Sequence, residues 1–350
     1  MLNRNQKIGI GAVVAFFMAL AFYFFYWIKT PVYSLNLARE AAQKHDVERF
    51  ETYVDLDSLL PQAFDDSLAA YQEASGQKIS DNPLAAGILQ LVKPQVVSAM
   101  KEGIEKMVQG EKIEPQTNES GQVNQAQELA AGMSKGLLKK GLEVKDISTI
   151  SRSDGNAVVS IKVHDGKIDG DYEFRLNMKQ MENGKWKVKK VSNLKDTILT
   201  IDRLTKAKLA ELNEPLREKI KEAVTIQDVK AEDGNDGNPF FTQYWIRYQA
   251  DVQNCSKQEI RKLLIRFELK DKNGKLLRQE NVRFNRRVIP AGVIRKLYYL
   301  DKLNPFIPEE AVLQGRGASQ RLEAEITGVE FVDGTTINLL KEIPEETSNQ

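Results

Sequence analysis

The sequence predicts an α+β protein in which an N-terminal transmembrane helix leads, a helical region then packs on a curved antiparallel sheet, and an all-β sandwich closes the chain. Three observations predict this. Residues 8–28 carry no charge. Apolar residues then recur at helical spacing to about residue 142, and from Val144 onward the period changes to two, with Asn-Gly and Asp-Gly turns between apolar runs.

The leading segment reads IGIGAVVAFFMALAFYFFYWI. At 1.5 Å rise per residue it is long enough for the ~30 Å hydrocarbon layer, and a helix is the form that satisfies its own backbone there. Tyr23, Tyr26 and Trp27 gather at one end, where amphipathic rings favour the headgroup boundary. A cleaved signal peptide is the rival reading. Against it, the apolar run exceeds a signal core of about 7–15 residues and no small-x-small site follows Trp27. Arg4 and Lys7 precede the run while Lys29, Arg39 and Lys44 follow it, so flanking charge leaves the orientation open. Export geometry favours a single-pass protein of the cell membrane with its remainder extracytoplasmic. Gly11, Ala15 and Ala19 would lie on one stripe and offer a close-approach face for self-association.

A chain of 350 residues divides into two folded units on size alone. The expected division is a tail and anchor at 1–30, an α+β domain at 31–202 with a mobile loop near 110–127, a connecting helix at 203–222 and a β-sandwich at 223–346. In the α+β part, Asp46 is placed to cap a helix bearing Val47, Phe50 and Tyr53, and Asp57 to cap another around Leu59, Leu60 and Phe64. Asp81 or Asn82 before Pro83 starts a third, with Val96, Met100, Ile104 and Met107 at helical spacing. Leu129, Met133 and Leu137 read as helical again, with Gly141 as the stop. Ala157, Val159, Ile161 and Val163 alternate with polar residues, as do Tyr172, Phe174, Leu176 and Met178, and Trp186 and Val188 follow an Asn183-Gly184 turn.

Tyr33, Ala42, Asp46, Phe50, the run Tyr53-Val54-Asp55 and the strand Gly184-Lys185-Trp186-Lys187-Val188 together resemble a family of uncharacterised bacterial membrane-anchored proteins, grouped as a domain of unknown function. The resemblance spans roughly residues 31–195, with a long insert near 80–127 that departs from a compact member. It implies a fold and an anchor, and no activity.

After the connecting helix, the sequence predicts strands at residues 224–229, 244–252, 263–269, 276–284, 293–300, 322–331 and 335–340, with turns at Asn273-Gly274 and Asp333-Gly334. Short strands at that spacing predict an immunoglobulin-like sandwich without its disulfide. The Asp271-Lys272-Asn273-Gly274-Lys275 hairpin and Pro290-Ala291-Gly292 are similar to those of small extracytoplasmic sandwich domains of bacterial surface proteins.

Composition narrows the function. Lys and Arg number 50 against 49 Asp and Glu, so the broad positive excess of a nucleic-acid binder is absent. A single cysteine, Cys255, excludes an internal disulfide and a thiolate metal cluster, and His45 and His164 alone are too few for an imidazole-rich site. No nucleophile elbow, HExxH pair or phosphate-cradling loop occurs. Asp55 and Asp57 offer a carboxylate pair, but Asp57 as a cap and Asp55 as a turn residue account for them more simply. The expectation is therefore a non-enzyme, with no catalytic residue, cofactor or metal.

One charge pattern remains. Residues 260–300 carry twelve Lys or Arg against Glu268, Asp271 and Glu280, while the flanking segments are acidic. Arg283, Arg286 and Arg287 are candidates to meet an anionic lipid or wall polymer, and pairing between neighbouring strands is the simpler account of the excess. The expected function is a binding or structural role at the bacterial cell envelope, with an envelope protein, anionic lipid or wall polymer as partner. The alternative is a lipid or small-molecule pocket between helices and sheet, lined by Phe174, Leu176 and Trp186.

Overall fold

A computed structural model describes residues 29–75, 83–111, 142–238 and 241–344. The chain divides into two compact units, one ending at Lys206 and the other running from Ala207 to Pro344.

In the first unit α1 (Pro31–Gln43) starts because the Thr30 hydroxyl accepts the Tyr33 N–H at 3.2 Å and Pro31 supplies a helical φ at the first position. Its inward face is Ser34, Leu37, Ala38 and Ala41, small enough for close packing. His45 turns the chain in the left-handed region, and Asp46 accepts the Arg49 N–H to cap α2 (Val47–Tyr53). The next cap is Asp55 rather than Asp57. Asp55 accepts the Ser58 N–H at 3.1 Å, so α3 (Leu56–Ser75) begins one residue later and Asp57 sits inside its first turn, paired with Lys101 at 2.8 Å. Leu56, Leu60 and Phe64 of α3 then pack on Val96 and Met100 of α4 (Pro83–Val108).

Strands β1 (Leu142–Ser153), β2 (Asn156–Asp165), β3 (Gly170–Gln180) and β4 (Trp186–Val191) form an antiparallel meander. The β3–β4 turn uses Gly184 at φ 79°, a conformation that glycine adopts without steric cost. Ala157, Val159, Met178, Trp186 and Val188 are buried on one face, with Val32, Leu35 and Leu59 of the helices against them. Junction and sheet are tied directly: the Asp55 N–H donates to the Val188 carbonyl at 2.9 Å.

Helix α5 (Leu194–Ala223) contains the division between units, and its Ile220 and Ala223 belong to the second unit's core. That unit holds two antiparallel sheets. One orders β5 (Val224–Asn238), β6 (Phe241–Asn254) and β9 (Ile294–Lys302) as β5-β6-β9. The other orders β11 (Thr336–Asn338), β10 (Arg321–Phe331), β7 (Ile260–Lys270) and β8 (Leu276–Phe284) as β11-β10-β7-β8. Ile246, Tyr248, Ala250 and Val252 of β6 share a core with Leu263, Ile265, Phe267 and Leu269 of β7, so the sheets meet face to face. The Tyr248 and Phe267 rings stack across it, their centroids 5.5 Å apart.

The expected fold class needs correction at its start. Among the described residues no helix is long and apolar enough to cross a membrane. The longest, α4 and α5, have the length but not the composition: α4 alone carries Lys93, Lys101, Glu102, Glu105 and Lys106. The described fold is α+β, helices with several antiparallel sheets, without a transmembrane helix. The uncharged run at 8–28 and the stripe Gly11, Ala15 and Ala19 lie outside the described residues, as do most of the loop near 110–127 and the helical pattern around Leu129, Met133 and Leu137.

Candidate functional site

The polar residues singled out in the first unit are held in structural roles. Asp55, beyond its cap, pairs with Lys189 and accepts the Ser58 hydroxyl at 2.9 Å. Burial works against its charge, but the Lys189 ammonium and the Ser58 donors prevail and hold the carboxyl down to about 2. Asp57 faces Lys101 instead, so the two acids do not share a site. His45 Nδ1 lies 2.8 Å from the Val108 carbonyl, and His164 Nδ1 lies 2.7 Å from Asp171 across the β2–β3 ladder. Among the described residues no group of three or more His, Cys, Asp or Glu side chains is placed to hold a metal ion.

Trp186 is held by both the helices and the sheet. Its ring is fully buried, its indole N–H donates to the Lys29 carbonyl at 2.8 Å, its backbone N–H donates to the Ser34 hydroxyl at 2.9 Å, and the Arg152 guanidinium sits over the ring. Leu176 is half-buried against that core, and Phe174 is half-buried with its ring edge-on to Tyr172, the centroids 5.7 Å apart.

The second unit separates its cations into two groups. On β7 the positive side chains meet the acids of β10: Arg261 and Lys262 pair with Glu330, Arg266 with Glu325, and Lys270 with Glu323. Strand order brings this about, because β10 lies directly beside β7 with Glu323 opposite Glu268 and Glu325 opposite Arg266. Arg278 of β8 is enclosed by three carboxylates, Asp301 at 3.0 Å, Glu280 at 2.9 Å and Glu310 at 2.7 Å. Burial pushes the Asp301 and Glu280 carboxyls up; repulsion from Glu310 adds to it at Asp301, and repulsion from Asp301 and Glu310 at Glu280, in spite of Arg278. Nothing in the sequence pattern marks this cluster, since Glu310 arrives from the short helix Pro308–Ala311, 32 residues away.

Arg283, Arg286 and Arg287 behave differently. All three are exposed, and among the described residues no carboxylate lies within ion-pair distance of any of them. They line a groove of about 720 Å³ whose walls are the start of β7, the end of β8 with the following loop, and strand β9. Its other cations are Arg261 and Lys262, both paired with Glu330, and Arg295 and Lys296; its apolar surface comes from residues such as Phe284, Leu297 and Tyr299; among the described residues no acidic side chain lines it. Arg295 is braced by donating to the Val288 carbonyl at 2.7 Å, and Lys296 lies 3.6 Å from Asp251. Arg295 and Lys296 belong to the charge excess of residues 260–300 but were not singled out from it, and Tyr298 adds nothing to that excess. Strand alternation over residues 293–300 is the signal for Tyr298, since it places Lys296, Tyr298 and Leu300 on one face, the exposed one.

Residues 18–136 match a family described as "Protein of unknown function (DUF2939)". The match supports a domain of unknown function in the N-terminal part of the chain; it does not reach the Gly184–Val188 strand or the second unit. No curated protein matches the sequence. A solved chain described as "X-ray structure of Northeast Structural Genomics Consortium target SoR45" is 18% identical, covers 34% of this chain and 82% of its own, and superposes with a TM-score of 0.22, a likeness that carries no structural argument.

Proposed function

We propose that this protein is a non-catalytic binding protein whose second unit, an immunoglobulin-like sandwich, holds an anionic partner in the groove between β8 and β9. The sandwich reading is supported by the two sheets β5-β6-β9 and β11-β10-β7-β8 with a shared core. The observation that carries the binding reading is the contrast within one unit. The cations of β7 and Arg278 are matched to carboxylates, whereas Arg283, Arg286 and Arg287 converge unmatched on a concave, acid-free surface. Unpaired like charges held together repel one another, an arrangement that a polyanion relieves.

Replacing the three arginines together by glutamine tests this. Binding of fluorescent poly-L-glutamate, followed by anisotropy, is expected to weaken about tenfold, as three exposed ion pairs of about 0.5 kcal/mol each imply. Raising salt from about 0.05 to 0.5 M should weaken the parent's binding in the same direction. The melting temperature should stay nearly constant, because no structural partner is lost. Unchanged binding with a clearly lower melting temperature would show instead that these arginines stabilise the fold.

A further inference from the structure

The groove has a second property that its charge does not explain. Two of its walls are edge strands: among the described residues β9 pairs only with β6, and β8 only with β7. For β9 the free edge can be read residue by residue. At one end of the ladder the Asn254 N–H donates to the Val293 carbonyl, and at the other the Leu303 N–H donates to the Tyr244 carbonyl. In an antiparallel ladder, hydrogen-bonded and non-hydrogen-bonded pairs alternate. With both ends fixed, the odd-numbered residues of β9 bond to β6, and the N–H and C=O groups of Ile294, Lys296, Tyr298 and Leu300 point to the open edge. Among the described residues no backbone partner meets them there. Ile294, Tyr298 and Leu300 also leave large apolar side chains exposed, at 57%, 55% and 41%.

We infer that the groove is a β-augmentation site, in which an extended acidic peptide segment adds to the free edge of β9 as a new strand and directs its carboxylates to Arg283, Arg286 and Arg287. This rests on the anion-binding reading above and narrows the partner from any polyanion to a peptide. Main-chain bonding along an open edge supplies affinity, and alternate side chains supply selectivity. The free positions from Ile294 to Leu300 span about 20 Å at strand rise, the reach of a seven-residue strand. Alternation would put every second side chain of the segment on the side of the groove cations. Lys296 and Lys302 fit the same picture. Edge lysines discourage pairing with another copy of the same basic strand, and an acidic strand is the kind they admit.

The test uses the full chain and a fluorescein-labelled heptapeptide of alternating glutamate with threonine or valine, read by anisotropy. Three competitors accompany it: the same peptide N-methylated at alternate residues, in both phases, so that charge is kept and strand bonding lost; inorganic polyphosphate; and vesicles of phosphatidylglycerol. The unmodified peptide is expected to bind at least tenfold more tightly than the analogue methylated in the pairing phase. Tyr298→Pro removes an outward-facing N–H that β6 does not use, and should weaken the peptide at least fivefold relative to Tyr298→Ala, which controls for the ring. Should the proline variant misfold by circular dichroism, the methylated pair of peptides decides alone. Equal binding of all peptides, or tighter binding of polyphosphate or vesicles than of the peptide, overturns the strand-addition inference while leaving an anion groove in place. Peptide binding that is insensitive to Arg283→Gln, Arg286→Gln and Arg287→Gln together overturns both.

Discussion

Replacing Arg278 with methionine is expected to lower the unfolding free energy of the second unit by about 3 kcal/mol or more at neutral pH, because it strands Asp301, Glu280 and Glu310 as partly buried carboxylates without a counter-charge. Urea denaturation followed by hydrogen exchange in β7 reads this directly. The effect should depend on pH in a defined sense. Burial already raises the Asp301 and Glu280 carboxyls above their ordinary values. A carboxyl raised in the folded state contributes stability that is fully present below its unfolded value and is lost as pH rises through the folded value. Removing the arginine raises both further, so the variant's deficit should be small near pH 4 and grow toward neutrality. A deficit under about 1 kcal/mol, or one that does not change with pH, would mean that water rather than Arg278 already solvates these acids.

Trp186→Ala should be comparably damaging in the first unit. The ring is the hub between α1 and the sheet, packed against Ala157, Val159, Met178 and Val188 and anchored by its indole N–H to the Lys29 carbonyl. Truncating a fully buried tryptophan costs about 3–5 kcal/mol through lost transfer energy and the cavity left behind. Trp186→Phe retains most of the apolar area but loses the hydrogen bond, and is expected to cost roughly half as much. Equilibrium denaturation of the two variants separates these contributions. If alanine and phenylalanine are equally tolerated, the helices are not held to the sheet through this residue.

How much of this was legible depended on the physical origin of each feature. Strand β8 spans the expected Leu276–Phe284, with Val282 buried in the core and Leu277 and Phe284 packed against it. Strand β5 runs well past the expected 224–229, to Asn238. Its second half, Glu232-Asp233-Gly234-Asn235-Asp236-Gly237, has loop composition and low strand propensity, and it is held by pairing with β6. Gly234 is needed there, since a Cβ would fall 2.4 Å from the Trp245 ring. Helix α5 begins at Leu194, nine residues before the expected connecting helix. Thr197, Ile198, Thr200 and Ile201 are β-branched and weak as a local helix signal, but Thr197 is fixed by its hydroxyl to the Glu173 carbonyl at 2.8 Å. The cap at Asp46 was readable from spacing. Between Asp55 and Asp57, the phase that buries both Leu56 and Leu60 decides, and that is a tertiary fact. For the candidate site, the sequence carries the charge excess but not its division. That the four cations of β7 are matched follows from β10 lying beside it, an adjacency between segments about 60 residues apart.

The most direct measurement of the central claim is hydrogen exchange of the full chain with and without poly-L-glutamate at low salt. Slowed exchange confined to residues 282–287 and 294–300, and abolished by Arg283→Gln, Arg286→Gln and Arg287→Gln together, is the predicted result. Protection that falls on the first unit or on the β7–β10 pair instead, or no protection at any concentration, would contradict it.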